Sequence, residues 1–240
     1  LNDFAGTRSV FCYICFCPNW IYVLNFKKGY YMRLKRGPLP LLLIVIIWTS
    51  WSCTSNTRKK VGGPCEGCEA IYEYGERELT PVDTLPQFDA NEPKLKISGT
   101  VYKPDGTSPA ENVILYIYHT NRLGIYETRG DESGWAKRHG YIRGWTKTGK
   151  DGVYTFYTFR PAHYPDRSEC EHIHITIKEP GTNEYYLDEY LFEDDPLLTD
   201  KVRQRLEDRG GSGIVHPQME DGLWTVKRDI VLGMHIPDYE

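Results

Sequence analysis

An all-β domain, two sheets packed as a sandwich, is predicted for the C-terminal part of this chain, from residue 95 to 240. Three observations predict it. Apolar and polar residues alternate over short runs separated by Gly, Pro and Asp turn signals. The 240 residues include 18 tyrosines, 22 glycines and 15 prolines, a composition that favours strands and turns over helices. No strand–helix–strand rhythm, Gly-rich phosphate loop or GxSxG motif occurs, so a doubly wound sheet is not expected.

The elements follow in order. "LKISGTVYKPDG" alternates and ends in a Pro-Asp-Gly turn. "NVILYIYHT" puts Val113, Leu115 and Ile117 on one face and Ile114, Tyr116 and Tyr118 on the other. "GKDGVYTFYTF" leaves an Asp-Gly turn as a third strand. "HIHITIKEP" is a fourth, "EYYLDEYLF" a fifth, and "LWTVKRDIVL" closes the chain. One stretch, Asp200 to Arg209, reads as a helix. A net charge of −4 with 26% charged residues does not suggest a nucleic-acid binder.

The N-terminal third reads as targeting sequence. Arg33, Lys35 and Arg36 precede an apolar run, Leu39 to Trp48, too short for a span of about 20 residues. Small and polar residues then lead to Cys53. The pattern is that of a lipoprotein signal peptide over 32–52, with Cys53 as the acylated residue. An uncleaved anchor or plain signal peptide is the alternative. On either reading the domain is exported, and the lipoprotein reading places it at a membrane surface facing the periplasm or cell exterior. Residues 1–31 lie upstream of the plausible start at Met32 and are expected to be absent from the mature protein. Residues 53–94 read as a tether carrying a CxxC. That motif lacks the second ligand pair of a zinc site and the βαβ setting of a redox motif. In an exported protein Cys65 and Cys68 are expected to form a structural disulfide, with one another or elsewhere.

His172 and His174 carry the strongest chemical signal. Residues i and i+2 of a strand share a side, about 7 Å apart along it, so two imidazoles there can grip one metal ion. Two solvent-facing histidines are the alternative, and the spacing alone selects no metal.

The segment "RGWTKTGKDGVYTFYTFRPAHYP" followed by "HIHI" resembles the core of the intradiol ring-cleavage dioxygenases. Arg143, Gly144, Thr148, Asp151, Gly152, Tyr154 and Phe156 match its first part, and Pro161, Tyr164 and Pro165 its second. The likeness covers roughly Leu95 to Pro196. It implies a non-haem Fe(III) site held by Tyr126, Tyr164, His172 and His174. Tyr116, Tyr118 and Tyr141 are competitors for the place given to Tyr126. It also implies a small aromatic diol and O2 as substrates, the ring opening between its hydroxylated carbons. Two phenolates suit ferric iron, and the metal acts as Lewis acid and template. Tyr164 matches the tyrosine that takes up a substrate proton.

Two positions depart from the family pattern. Glu169 stands where an arginine usually precedes the first histidine by three residues, leaving Arg167 as the candidate for that catalytic role. Glu189 stands where glutamine is common. These departures favour the alternative function, an exported binding module for a ligand or carbohydrate that keeps the metal site without turnover. Cys170 is given no role. "FEDDP", Phe192 to Pro196, is expected to be a solvated turn, and His163 an exposed loop residue beside Tyr164 or a support for it.

Overall fold

The structure is a computed structural model that describes residues 60–239 and one short hairpin nearer the N-terminus. The hairpin pairs β1 (Ile14–Cys17) with β2 (Trp20–Val23) in antiparallel register. It belongs to a separate unit, Leu1–Thr54. The expected signal segment 32–52 and Cys53 lie outside the described residues. Among the described residues no helix is long and apolar enough to cross a membrane.

Two six-stranded sheets form the domain. In chain order the strands are β3 (Val82–Thr84), β4 (Lys94–Tyr102), β5 (Ile114–Tyr118), β6 (Arg143–Lys147), β7 (Val153–Phe159) and β8 (His172–Lys178). They continue with β9 (Tyr185–Tyr186), β10 (Tyr190–Phe192), β11 (Ile214–Val215), β12 (Gln218–Glu220), β13 (Leu223–Lys227) and β14 (Ile230–Val231). One sheet runs β11-β10-β8-β5-β6, with β9 also on β8. The other runs β12-β13-β4-β7-β3, with β14 also on β4.

Alternation along the strands builds the core between the sheets. β4 buries Leu95, Ile97 and Val101, and antiparallel β7 sets Phe156 opposite Ile97. Leu115 and Ile117 of β5 and Ile173, Ile175 and Ile177 of β8 face them from the other sheet within one apolar cluster. Each such fully buried aliphatic side chain contributes roughly 1.5–3 kcal/mol.

The opposite face of β5, β6 and β8 is covered too. A 3-10 turn, Cys68–Tyr72, lays Ala70 and Ile71 on Tyr116 and Trp145. Residues 61–93 are therefore part of the domain rather than the expected tether. Val61 bonds Asn183, the Gly62 N–H donates to the Pro237 carbonyl, and β3 lies parallel to β7. Cys65 and Cys68 are joined as a disulfide, and Cys170 is a buried free thiol.

Four other elements differ from expectation. β6 is a strand that the alternation did not single out. The expected helix Asp200–Arg209 shrinks to Asp200–Arg203, capped by Thr199, whose side chain accepts from the Val202 N–H. The reason is Arg209, 1% exposed, whose guanidinium donates to the Tyr186 and Gly62 carbonyls instead of facing solvent on a helix. The fifth strand breaks into β9 and β10, because Asp188 is buried and accepts from the Asp208 N–H at 2.7 Å. The last breaks at Arg228, which is buried and donates to the carbonyls of Asp188, Arg209 and Gly211.

Candidate metal centre

Ile173 and Ile175 point into the core, so His172 and His174 point out of the sandwich from the other side of β8. Two loops bring tyrosines to them. Tyr126 follows β5 in a loop ordered by Asn121, whose Oδ1 accepts from the Leu123 and Ile125 N–H groups. Gly124 in that loop has φ +75°, and a Cβ there would lie 1.9 Å from the His163 carbonyl oxygen. Only glycine lets the Tyr126 loop lie so close to the Tyr164 loop.

The four polar atoms converge. Tyr126 Oη lies 2.8 Å from Tyr164 Oη and 2.8 Å from His174 Nε2. Tyr164 Oη lies 3.2 Å from His172 Nε2, and the two Nε2 atoms are 3.2 Å apart. Donors bound at ~2.0–2.1 Å to one ion and at right angles to one another would be ~2.9 Å apart. The observed separations match the edges of such a coordination shell.

Both imidazoles are held from behind. His172 Nδ1 donates to the Cys170 carbonyl at 2.7 Å, and His174 Nδ1 faces Glu189 Oε1 at 3.4 Å. These acceptors assign the ring protons to Nδ1, so both Nε2 lone pairs face the cluster. Two bare nitrogens 3.2 Å apart repel unless a positive charge lies between them. The donor set therefore fits a metal ion. Among the described residues no three His, Cys, Asp or Glu side chains are grouped to hold one, so the site depends on its two tyrosines.

Burial raises the Tyr126 phenol far above its usual range, and raises Tyr164 as well. Glu169 adds to both shifts by its negative charge. Burial lowers the His172 imidazole, with His174 contributing. Burial raises Glu189, but its polar contacts, led by the hydrogen bond from His174, outweigh it and hold this carboxylate at about 2.

Around the donors lie further groups, of which the sequence singles out Tyr116 and Tyr118 alone, as competitors for the place of Tyr126. Tyr118 stacks on His174 at 4.5 Å and on His139 at 3.8 Å, and His139 accepts or donates at the Tyr116 hydroxyl. Burial lowers His139 to about 4, so it is neutral at neutral pH. Glu66, from the disulfide loop, ion-pairs with Arg138 in a cleft that also exposes Tyr126, Tyr164 and His174. No spacing rule points to these residues, because their loops meet only in the folded chain.

Arg167 is not in the donor set. It is exposed, has φ +52°, and lines the neighbouring cleft with His172 and Glu169. His163 is half-buried rather than exposed, with Nε2 2.9 Å from Asp195. The acidic turn is solvated at Asp194, as expected, but its carboxylates are also paired, Glu193 with Arg203, Asp194 with Arg160 and the buried Asp195 with His163.

No family model matches the sequence. Over 160 residues the chain is 28% identical to catechol 1,2-dioxygenase 1 of Acinetobacter lwoffii, a match covering 60% of this chain. It covers 49% of that relative, so the chain spans about half the length of the curated protein it matches. Among solved structures, it is similar to the dioxygenase domain of a dioxygenase–carbohydrate-binding fusion from Streptomyces sp. SirexAA-E. The TM-score is 0.50 at 23% identity, over 70% of this chain and 95% of that one. It is also similar to 3-chlorocatechol 1,2-dioxygenase from Rhodococcus opacus 1CP, with TM-score 0.50 and 19% identity over 64% and 66% of the two chains. In its sequence motifs and in its curated relative the chain is similar to the intradiol ring-cleavage dioxygenases, and it shares their fold.

Proposed function

We propose that this protein is an Fe(III)-dependent dioxygenase that opens a catechol-like ring between its two hydroxylated carbons, using O2. The convergence of Tyr126, Tyr164, His172 and His174 carries the proposal. These four residues would hold the iron. Bound there, ferric iron supplies Lewis-acid activation of a chelated diol.

The chain's own groups supply the rest. His172 and His174 keep Nε2 unprotonated because Cys170 and Glu189 engage Nδ1. Tyr164 lies in the cleft with Tyr126 and His174, where its Oη can take a proton from an arriving diol. Arg167, on the cleft that His172 enters, is the candidate for stabilising negative charge on the ring in place of the arginine absent at position 169.

Oxygen uptake by the iron-loaded full chain with catechol tests this. One O2 consumed per catechol, with a ring-opened diacid as product, is the expected result. The second reading, a binding module without turnover, is favoured by Glu169, whose charge opposes phenolate at both tyrosines. It predicts a bound diol and no oxygen uptake.

Export by the segment 32–52 and acylation of Cys53 belong to the same proposal. The Cys65–Cys68 disulfide supports an oxidising compartment. Incorporation of labelled fatty acid that is lost in Cys53→Ser is the expected result; equal labelling of both would refute the anchor.

A further inference from the structure

Three clefts border the donor set, and they differ in chemistry. The one shared by Tyr126, Tyr164 and His174 is about 220 Å³ and is walled by Trp135, His139 and the Glu66–Arg138 pair. A second, about 260 Å³, runs past His174 and Glu189 to the disulfide loop, with Thr176 and Tyr186 on its walls. The third, about 350 Å³, is the largest of the three and begins at His172 and Glu189. It is lined by four aliphatic side chains, Leu191, Leu197, Val202 and Leu206. They belong to a small apolar cluster beneath the 197–206 segment, in which Leu197, Val202 and Leu206 are only partly covered.

Charge on this third cleft is balanced. Arg167 and Arg205 line it, and so do Glu169 and Glu189. A charged tail would meet both signs. An apolar tail would cover the aliphatic floor and leave the charged groups in water, the arrangement of most small-molecule sites.

Building on the proposed diol chemistry, we infer that this cleft is a substituent subsite, and that the substrate is a catechol carrying an apolar alkyl or aryl group on its ring. The diol sits at the donor set, and the substituent passes His172 onto Leu191, Val202 and Leu206. Of the other two clefts, the one at Tyr126 and Tyr164 has only polar and aromatic walls, and the one at the disulfide loop has Ile175 and Leu187 among mostly polar and aromatic residues, fewer aliphatic side chains than the third. Each methylene buried there strengthens binding about fourfold, from ~0.8 kcal/mol per group.

The test is an anaerobic titration of the iron-loaded full chain, following its visible band, with catechol, 4-butylcatechol and 3-(3,4-dihydroxyphenyl)propanoate. We expect 4-butylcatechol to bind at least tenfold more tightly than catechol, and the propanoate to bind less tightly than the butyl compound. Val202→Trp, which fills the cleft, and Leu206→Asn, which makes it polar, should each remove most of the gain while leaving catechol affinity within about twofold. Equal binding of catechol and 4-butylcatechol would overturn the inference, as would a gain that survives both substitutions or a propanoate that binds as tightly as the butyl compound. If catechol itself leaves the band unchanged, the diol-binding reading has failed, and the subsite falls with it.

Discussion

The hydroxyls of Tyr126 and Tyr164 lie 2.8 Å apart, and each is also within 3.2 Å of a histidine Nε2. Burial raises both phenols, so without a cation they remain protonated and hydrogen-bonded to each other. A cation at their centre reverses that balance, because its charge favours both phenolates. The same four atoms thus make a ring of close polar contacts in one state, with no hydrogen between the two Nε2 atoms, and a ligand shell in the other.

Glu189 is predicted to hold His174 in the geometry that ring requires. Losing such a partner typically weakens metal binding 10–100-fold. Glu189→Leu should fall in that range in a chelator-competition titration. Glu189→Gln keeps an acceptor oxygen and should lose less. Unchanged affinity in Glu189→Leu would show that His174 is held by its stacking on Tyr118 alone.

The Cys65–Cys68 disulfide should matter to the site as well as to stability. Closing so short a loop contributes roughly 2 kcal/mol in the chain-entropy picture. Gly67, between the cysteines, has φ +87° and packs directly against His139, which stacks on Tyr118 and through it on His174. The Cys65→Ser/Cys68→Ser double variant should lower Tm by about 4–8 °C by calorimetry. It should also perturb the visible band of the iron-loaded protein. A lower Tm with an unaltered spectrum would confine the disulfide to a structural part.

His119 predicts acid sensitivity. It is 1% exposed, its Nδ1 donates to the Thr120 carbonyl, and its Nε2 accepts from the Thr158 hydroxyl at 2.6 Å. Burial lowers it to about 4 from its ordinary value of 6.5. The unfolded chain therefore binds this proton between those values and the folded chain does not. Its stabilising contribution is full above pH 6.5 and is lost as pH falls towards 4, on the order of 3 kcal/mol. Urea unfolding of the full chain from pH 7 to pH 4 should show this fall. In His119→Gln stability should be lower at pH 7 and the slope flatter. An equally steep slope would move the effect to other groups.

Strand positions were legible where apolar side chains recur with a period of two. The alternation in Lys94–Tyr102 and in Ile114–Tyr118 predicts their core residues from sequence alone. The HxH pair was legible for the same reason, since a period of two puts both imidazoles on one side. Breaks in strands were not legible, because they depend on distant partners. Asp188 interrupts Tyr185–Phe192 only because the Asp208 N–H reaches it. Arg209 shortens the expected helix because Gly62, 147 residues away, offers it a carbonyl. At Glu189 the sequence shows only a departure from the family pattern; its contact with His174 depends on the break between β9 and β10. The packing of residues 61–79 on the outer face of the sheet had no signal beyond Ile71 and its neighbours, too few to mark a buried element.

The most direct test of the central claim is a visible absorption spectrum, with iron quantification, of the full chain and of Tyr164→Phe and His172→Ala. One iron per chain is predicted, with a broad tyrosinate-to-iron band that shifts when catechol is added. Either substitution should lower the iron content at least tenfold or abolish the band. A protein that stays colourless after anaerobic iron loading and re-oxidation, or variants with the iron content and spectrum of the parent, would contradict the assignment of Tyr126, Tyr164, His172 and His174 as its ligands.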